Sequence, residues 1–168
     1  MADSAGAKNE RDVVGDATFP AAGWATNATY MFIRLRLDGT PLATGGGAPL
    51  QPFGWGLGID TDGVLSNGYE YTVVVNGINE TVKLFRAGVE LAAWTPTVAL
   101  PGFAKVTMPT GDGSKFSATD DGYLEFAVPL ADLVALTKND PKPIKLGKVT
   151  MWVATSANGV ALDKDYMC

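Results

Sequence analysis

The fold class this sequence predicts is all-β: an antiparallel β-sandwich of jelly-roll type, with about nine short strands and one short helix near residues 129–136. Three observations predict it. The 20 glycines and 10 prolines punctuate short runs of β-branched and aromatic residues, the pattern of many strands joined by turns. Within the clearest runs, apolar side chains recur with period two, which puts them on one face of a strand. Only Pro129–Leu136 spaces its apolar residues for a helix, and its leading proline suits a first helical position.

Taken in order, residues 1–10 are small and polar and are expected to be flexible. Residues 11–168 form a single domain, large enough to bury a proper core. Asp12–Asp16 reads as a turn and Phe19–Ala25 as a short strand carrying Trp24. Tyr30–Leu37 (YMFIRLRL) is the clearest strand. Met31, Ile33, Leu35 and Leu37 make its apolar face; Tyr30, Phe32, Arg34 and Arg36 make the other. Asp38-Gly39 closes it, and residues 40–52 form a loop with no periodicity. Strands follow near 53–60, 68–76 and 80–86, and Asn76-Gly77 signals a hairpin that Ile78 and Asn79 lengthen. Val89–Trp94 adds a short strand, and weak strands are expected at 103–108 and 115–118. Gly122–Val128 is strong, with Leu124, Phe126 and Val128 facing the core. The last strand spans 148–156.

Composition excludes several functions. With 46% hydrophobic and 18% charged residues the chain folds rather than staying disordered. A net charge of −5, with no Lys/Arg cluster beyond Lys138–Lys148, argues against a phosphate-binding surface, and nucleic acid is not the expected partner. The chain contains no histidine, which removes imidazole bases, imidazole metal ligands and His-activated nucleophiles. Its single cysteine, Cys168, permits no internal disulfide. No apolar run approaches the roughly 20 residues of a membrane helix, so membrane insertion is not expected. Residues 1–8 lack the basic and apolar regions of a secretory signal, so either a signal has been removed or the protein is cytosolic; the low Lys/Arg content and abundant Thr, Gly and Asn are those of an exported surface domain. Asn27-Ala28-Thr29 and Asn79-Glu80-Thr81 match the N-glycosylation acceptor, a motif that also arises by chance.

Residues 53–77 are the most informative stretch. Gly54, Gly56 and Gly58 alternate with Trp55, Leu57 and Ile59, so one face of this strand has almost no side chains, the mark of a backbone that something approaches closely. The following loop offers Asp60, Asp62, Asn67 and Glu70. These hard oxygen donors suit calcium, although Asp-Thr-Asp-Gly is equally a turn whose side chains bond backbone amides. A ligand face is expected from Trp55 with Arg34, Arg36, Tyr30, Phe32 and Tyr71, where aromatic platforms and cations would meet a polyhydroxylated ligand. Two competing assignments stay open. Trp55 could be core, and the arginines could pair across strands with Glu70, Glu80 or Glu125.

The order of Asp12–Asp16, Tyr30–Asp38, Trp55–Gly63 (WGLGIDTDG), Tyr69–Val73 and Tyr123–Leu130 (YLEFAVPL) resembles a superfamily of jelly-roll sandwiches. It includes the family 9 carbohydrate-binding modules and the N-terminal domain of dopamine β-monooxygenase. The resemblance covers roughly residues 11–156 and implies a binding module for a sugar, haem or calcium. Haem is not expected here, because without histidine its axial ligands would have to be Met or Lys.

The expected function is a non-catalytic binding module, secreted or on the cell surface, for a carbohydrate, surface polymer or other polyol, with calcium as a structural aid. A self-assembling structural or adhesive surface protein is the alternative. A glycoside hydrolase built on carboxylates such as Glu70, Glu80 and Glu125 ranks third.

Overall fold

The computed structural model describes residues 11–43, 50–95, 105–107, 121–158, 162 and 166–167. The segment 1–10 and the strand expected at 115–118 lie outside these residues. The ten strands among the described residues form two antiparallel sheets. One is four-stranded, ordered β1 (Ala22–Thr26), β2 (Tyr30–Leu37), β8 (Gly122–Pro129) and β7 (Lys105–Thr107). The other is six-stranded: β10 (Tyr166–Met167), β9 (Thr150–Ser156), β3 (Gly54–Asp60), β4 (Tyr71–Asn76), β5 (Thr81–Arg86) and β6 (Val89–Trp94). The helix α1 (Leu130–Thr137) follows β8.

Period-two alternation decides which faces meet. On β2 and β8, Met31, Ile33 and Leu35 lie opposite Val128, Phe126 and Leu124 in register, and all six are buried, as is Leu37. From the other sheet, Trp55, Leu57 and Ile59 of β3 face inward beside Val75, Val73 and Tyr71 of β4. These residues join one continuous core cluster, the two-layer arrangement that aligned sandwiches adopt. The core residues expected on β2 and β8 are therefore buried as expected, and Trp55 and Tyr71, expected on a ligand face, join them.

Turn chemistry fixes the registers. Ala87 and Gly88 join β5 to β6 with φ of 45° and 80°, both positive as a two-residue type I′ hairpin requires. Between β4 and β5 the loop runs Gly77–Glu80. A Cβ on Gly77 would lie 1.9 Å from the Gln51 carbonyl oxygen, so glycine here admits the chain that leads into β3. Leu133 and Thr137 seat the helix. The Thr137 hydroxyl donates to the Leu133 carbonyl at 2.8 Å and accepts the Ile144 amide at 3.1 Å. Trp94 Nε1 donates to Asp132 Oδ2 at 2.8 Å and ties the helix to the edge strand β6.

Candidate functional site

The residues expected to form one ligand face fall into three environments. Tyr30, Phe32 and Arg34 lie on the outer face of the four-stranded sheet, with the Tyr30 and Phe32 ring centroids 6.1 Å apart. Arg34 is half exposed and paired with Glu125, its Nε donating to Oε1 at 2.6 Å. Its guanidinium lies 4.9 Å from the centre of the Tyr123 ring. Of the three glutamates considered for this cross-strand pair, Glu125 forms it. Glu80 instead accepts the Leu50 amide, and Glu70 binds Lys142.

Arg36 shares the outward direction of Arg34 yet is buried. Its Nη1 donates to Asp121 Oδ2 at 2.7 Å and its Nη2 to the Tyr123 hydroxyl at 2.5 Å. Phe19 and Tyr123 place ring centroids 5.3 and 5.0 Å from the guanidinium. The segment before β1 runs along the same end of β2, where the Val14 amide reaches the Arg36 carbonyl. Its Phe19 covers a face that alternation alone leaves open to water.

Trp55 and Tyr71 point the other way, into the core. Trp55 is 0% exposed and meets Phe53 edge-on at 6.1 Å. Tyr71 is buried, and its hydroxyl donates to Asp140 Oδ2 at 2.6 Å and lies 3.0 Å from the Lys142 carbonyl oxygen. Burial and then the Asp140 carboxylate push its phenol well above the ordinary value. The bare glycine face of β3 is filled by the protein itself. A Cβ on Gly58 would meet the Tyr69 ring at 2.7 Å and Trp152 Nε1 at 3.2 Å, while Val74, Phe85, Ala154 and Leu162 form a second apolar cluster. The structure thus does not bring Trp55, Tyr71 and Arg36 to a common surface with Tyr30, Phe32 and Arg34.

Trp24, absent from the expected face, occupies the open position. It lies on the edge strand β1 opposite Ile33 and is 62% exposed. Two cavities adjoin it. One, of about 490 Å³, opens between the sheets over Ile33, Leu57 and Val153, with Trp24, Trp152 and Asp16 also in its wall. The other, of about 480 Å³, lies against Phe32, Arg34, Glu125 and Ala127. Both volumes fall in the range of small-ligand sites, roughly 300–1,000 Å³. A sequence signal existed: Trp24 is the sole large side chain in the run Ala21–Thr29.

The acidic hairpin does assemble. Asp60, Asp62 and Glu70 offer carboxylate oxygens all within 4.8 Å of one another, a set that could hold a metal ion. Asp60, at the end of β3, is 0% exposed. Its Oδ1 accepts the Asp62 and Gly63 amides at 2.9 and 2.8 Å, while its Oδ2 is buried without a hydrogen-bond partner. Asn67 joins the hairpin as a donor, its Nδ2 reaching Asp62 Oδ2 at 3.1 Å.

Lys142 sets the electrostatics of this hairpin. Its Nζ lies 2.6 Å from Asp62 Oδ2 and 2.8 Å from Glu70 Oε1. Hydrogen bonds from Lys142, then from the Val64 amide and Asn67, hold the Asp62 carboxyl well below the usual range. Burial works to raise the Glu70 carboxyl, but Lys142 and the Thr61 amide outweigh it and leave it lowered. Both carboxylates in turn raise the lysine. One ammonium against three carboxylates leaves a local charge of about −2, which a divalent cation would match. No sequence pattern joins Lys142 to residues 60–70; the turn after α1 delivers it.

Comparison with known proteins returned no matching family model, no matching curated protein and no matching solved structure.

Proposed function

We propose that this domain is a non-catalytic binding module of an exported or cell-surface protein, that it holds a carbohydrate or similar polyol at the β1 edge of the four-stranded sheet, against Trp24, and that calcium stabilises its acidic hairpin. The observation that carries the ligand reading is Trp24, 62% exposed and set between two cavities. An exposed indole offers a flat apolar surface for the C–H face of a sugar ring. Across the edge strand from it, on the outer face of the sheet, Arg34 and Glu125 provide donors and acceptors for hydroxyl groups.

Isothermal titration against a panel of soluble polysaccharides tests the reading. Trp24→Ala should lose binding by tenfold or more, about 1.4 kcal/mol, with an unchanged urea midpoint because the side chain is mostly in water. A panel that yields no ligand, or a variant that binds like the wild type, overturns it.

The calcium reading is supported by the charge of the cluster and by the unsatisfied Oδ2 of Asp60. An ion that binds only the folded state should raise stability by about 2.7 kcal/mol at a hundredfold excess over its dissociation constant. A melting curve identical in chelator and in millimolar-range calcium refutes it.

A further inference from the structure

We infer that the ligand is a neutral chain of linked sugar units, not a single ring, and that it crosses the edge strand β1 at Gly23. This rests on the carbohydrate reading above and specifies its ligand class. Gly23 and Trp24 line both cavities, so the spaces inside and outside the sandwich edge adjoin at these two residues. Gly23 lies opposite Arg34 on the outward side, and among the described residues no atom beyond its own chain neighbours comes within 4 Å of the position its Cβ would occupy. A glycine with open space beside an exposed tryptophan leaves a low passage over the strand.

Among the described residues, β1 pairs on one side only, with β2. The N–H and C=O groups along an edge not used by a neighbouring strand can bond a ligand that lies across it, and sugar hydroxyls both donate and accept. The two ends differ in character. The inter-sheet cavity has an apolar floor of Ile33, Leu57 and Val153, which suits a ring face. The outer cavity carries the Arg34–Glu125 pair. Because that pair neutralises itself and the chain has a net charge of −5, uncharged hydroxyls fit better than carboxylates or sulfates.

The test is titration with cello-, xylo- and manno-oligosaccharides from monomer to hexamer, and with oligogalacturonates as the anionic comparator. For at least one neutral series, affinity should climb by about tenfold or more between monomer and hexamer, and the acidic series should bind more weakly than every neutral hexamer that binds. Gly23→Val, whose side chain enters open space, should reduce hexamer affinity to about that of the monomer with an unchanged urea midpoint. Neutral saccharides that bind with no dependence on length, a length dependence untouched by Gly23→Val, or preference for the acidic series would each overturn the inference and leave the carbohydrate reading standing. If none of these saccharides binds, both fall together.

Discussion

Arg34 and Arg36 stand two residues apart on one strand face, each paired with a carboxylate, and differ in burial. That difference yields a quantitative prediction. The Arg36 and Asp121 side chains are 2% and 0% exposed, against 55% and 28% for Arg34 and Glu125. Replacing Asp121 with Ala leaves a guanidinium in a site closed by Phe19 and Tyr123, and removing one member of a buried pair costs about 3–5 kcal/mol. At about 2–4 °C per kcal/mol for a domain of this size, the melting temperature should fall by about 6–20 °C. Arg34→Ala breaks a pair that water already screens and should cost about 0–1 kcal/mol. The double variant Arg36→Met/Asp121→Leu, which removes both charges, should recover most of the loss. Urea unfolding followed by tryptophan fluorescence gives all four midpoints. Equal costs at the two pairs, or a double variant as unstable as Asp121→Ala, would refute the claim that burial sets the energetics here.

Trp55→Ala should cost about 3–5 kcal/mol, the range for emptying a large buried aromatic site; a loss below 1 kcal/mol in the same urea assay would return Trp55 to the list of surface residues. Gly58→Ala must push aside the Tyr69 ring, 2.7 Å from the new Cβ, and should cost about 1–3 kcal/mol with a change in the near-ultraviolet dichroism of the Tyr69–Trp152 pair; an unchanged midpoint would show that the outer face of β3 is open. In chelator, the lowered Asp62 and Glu70 carboxyls contribute stability that is complete above their unfolded values, 3.8 and 4.5, and lost as pH falls through the folded ones. The raised Lys142 contributes below its unfolded 10.5 and loses that contribution as pH rises through its folded value. Stability should therefore decline on both the acid and the alkaline side, and Lys142→Met should flatten both limbs; limbs identical to the wild type would count against the lysine as the cause.

The sequence by itself determined the layers. Alternation in Tyr30–Leu37 and Gly122–Val128 puts Met31, Ile33, Leu35, Leu124, Phe126 and Val128 on faces that must be buried, because a strand can hide its apolar residues on one side only when they recur at every second position. The glycine punctuation placed the turns, and the proline before Leu130 placed the helix. The carboxylates of residues 60–70 were also legible, since they are close along the chain and a hairpin keeps them close. Local pattern cannot say what lies over a face, because the covering group comes from a distant part of the chain. Arg34 and Arg36 look alike in sequence, and only the arrival of Phe19 and Asp121 makes one a surface cation and the other a buried one. The bare face of β3 signalled a close approach, yet Tyr69 and Trp152 make that approach, with no ligand needed. Trp55 and Trp24 are the same residue type beside glycine. The sheet edge leaves Trp24 in water, whereas β4 and β9 flank Trp55 and hold it in the core. Lys142 reaches Asp62 and Glu70 from the far side of α1, and only the folded chain brings its charge to the hairpin.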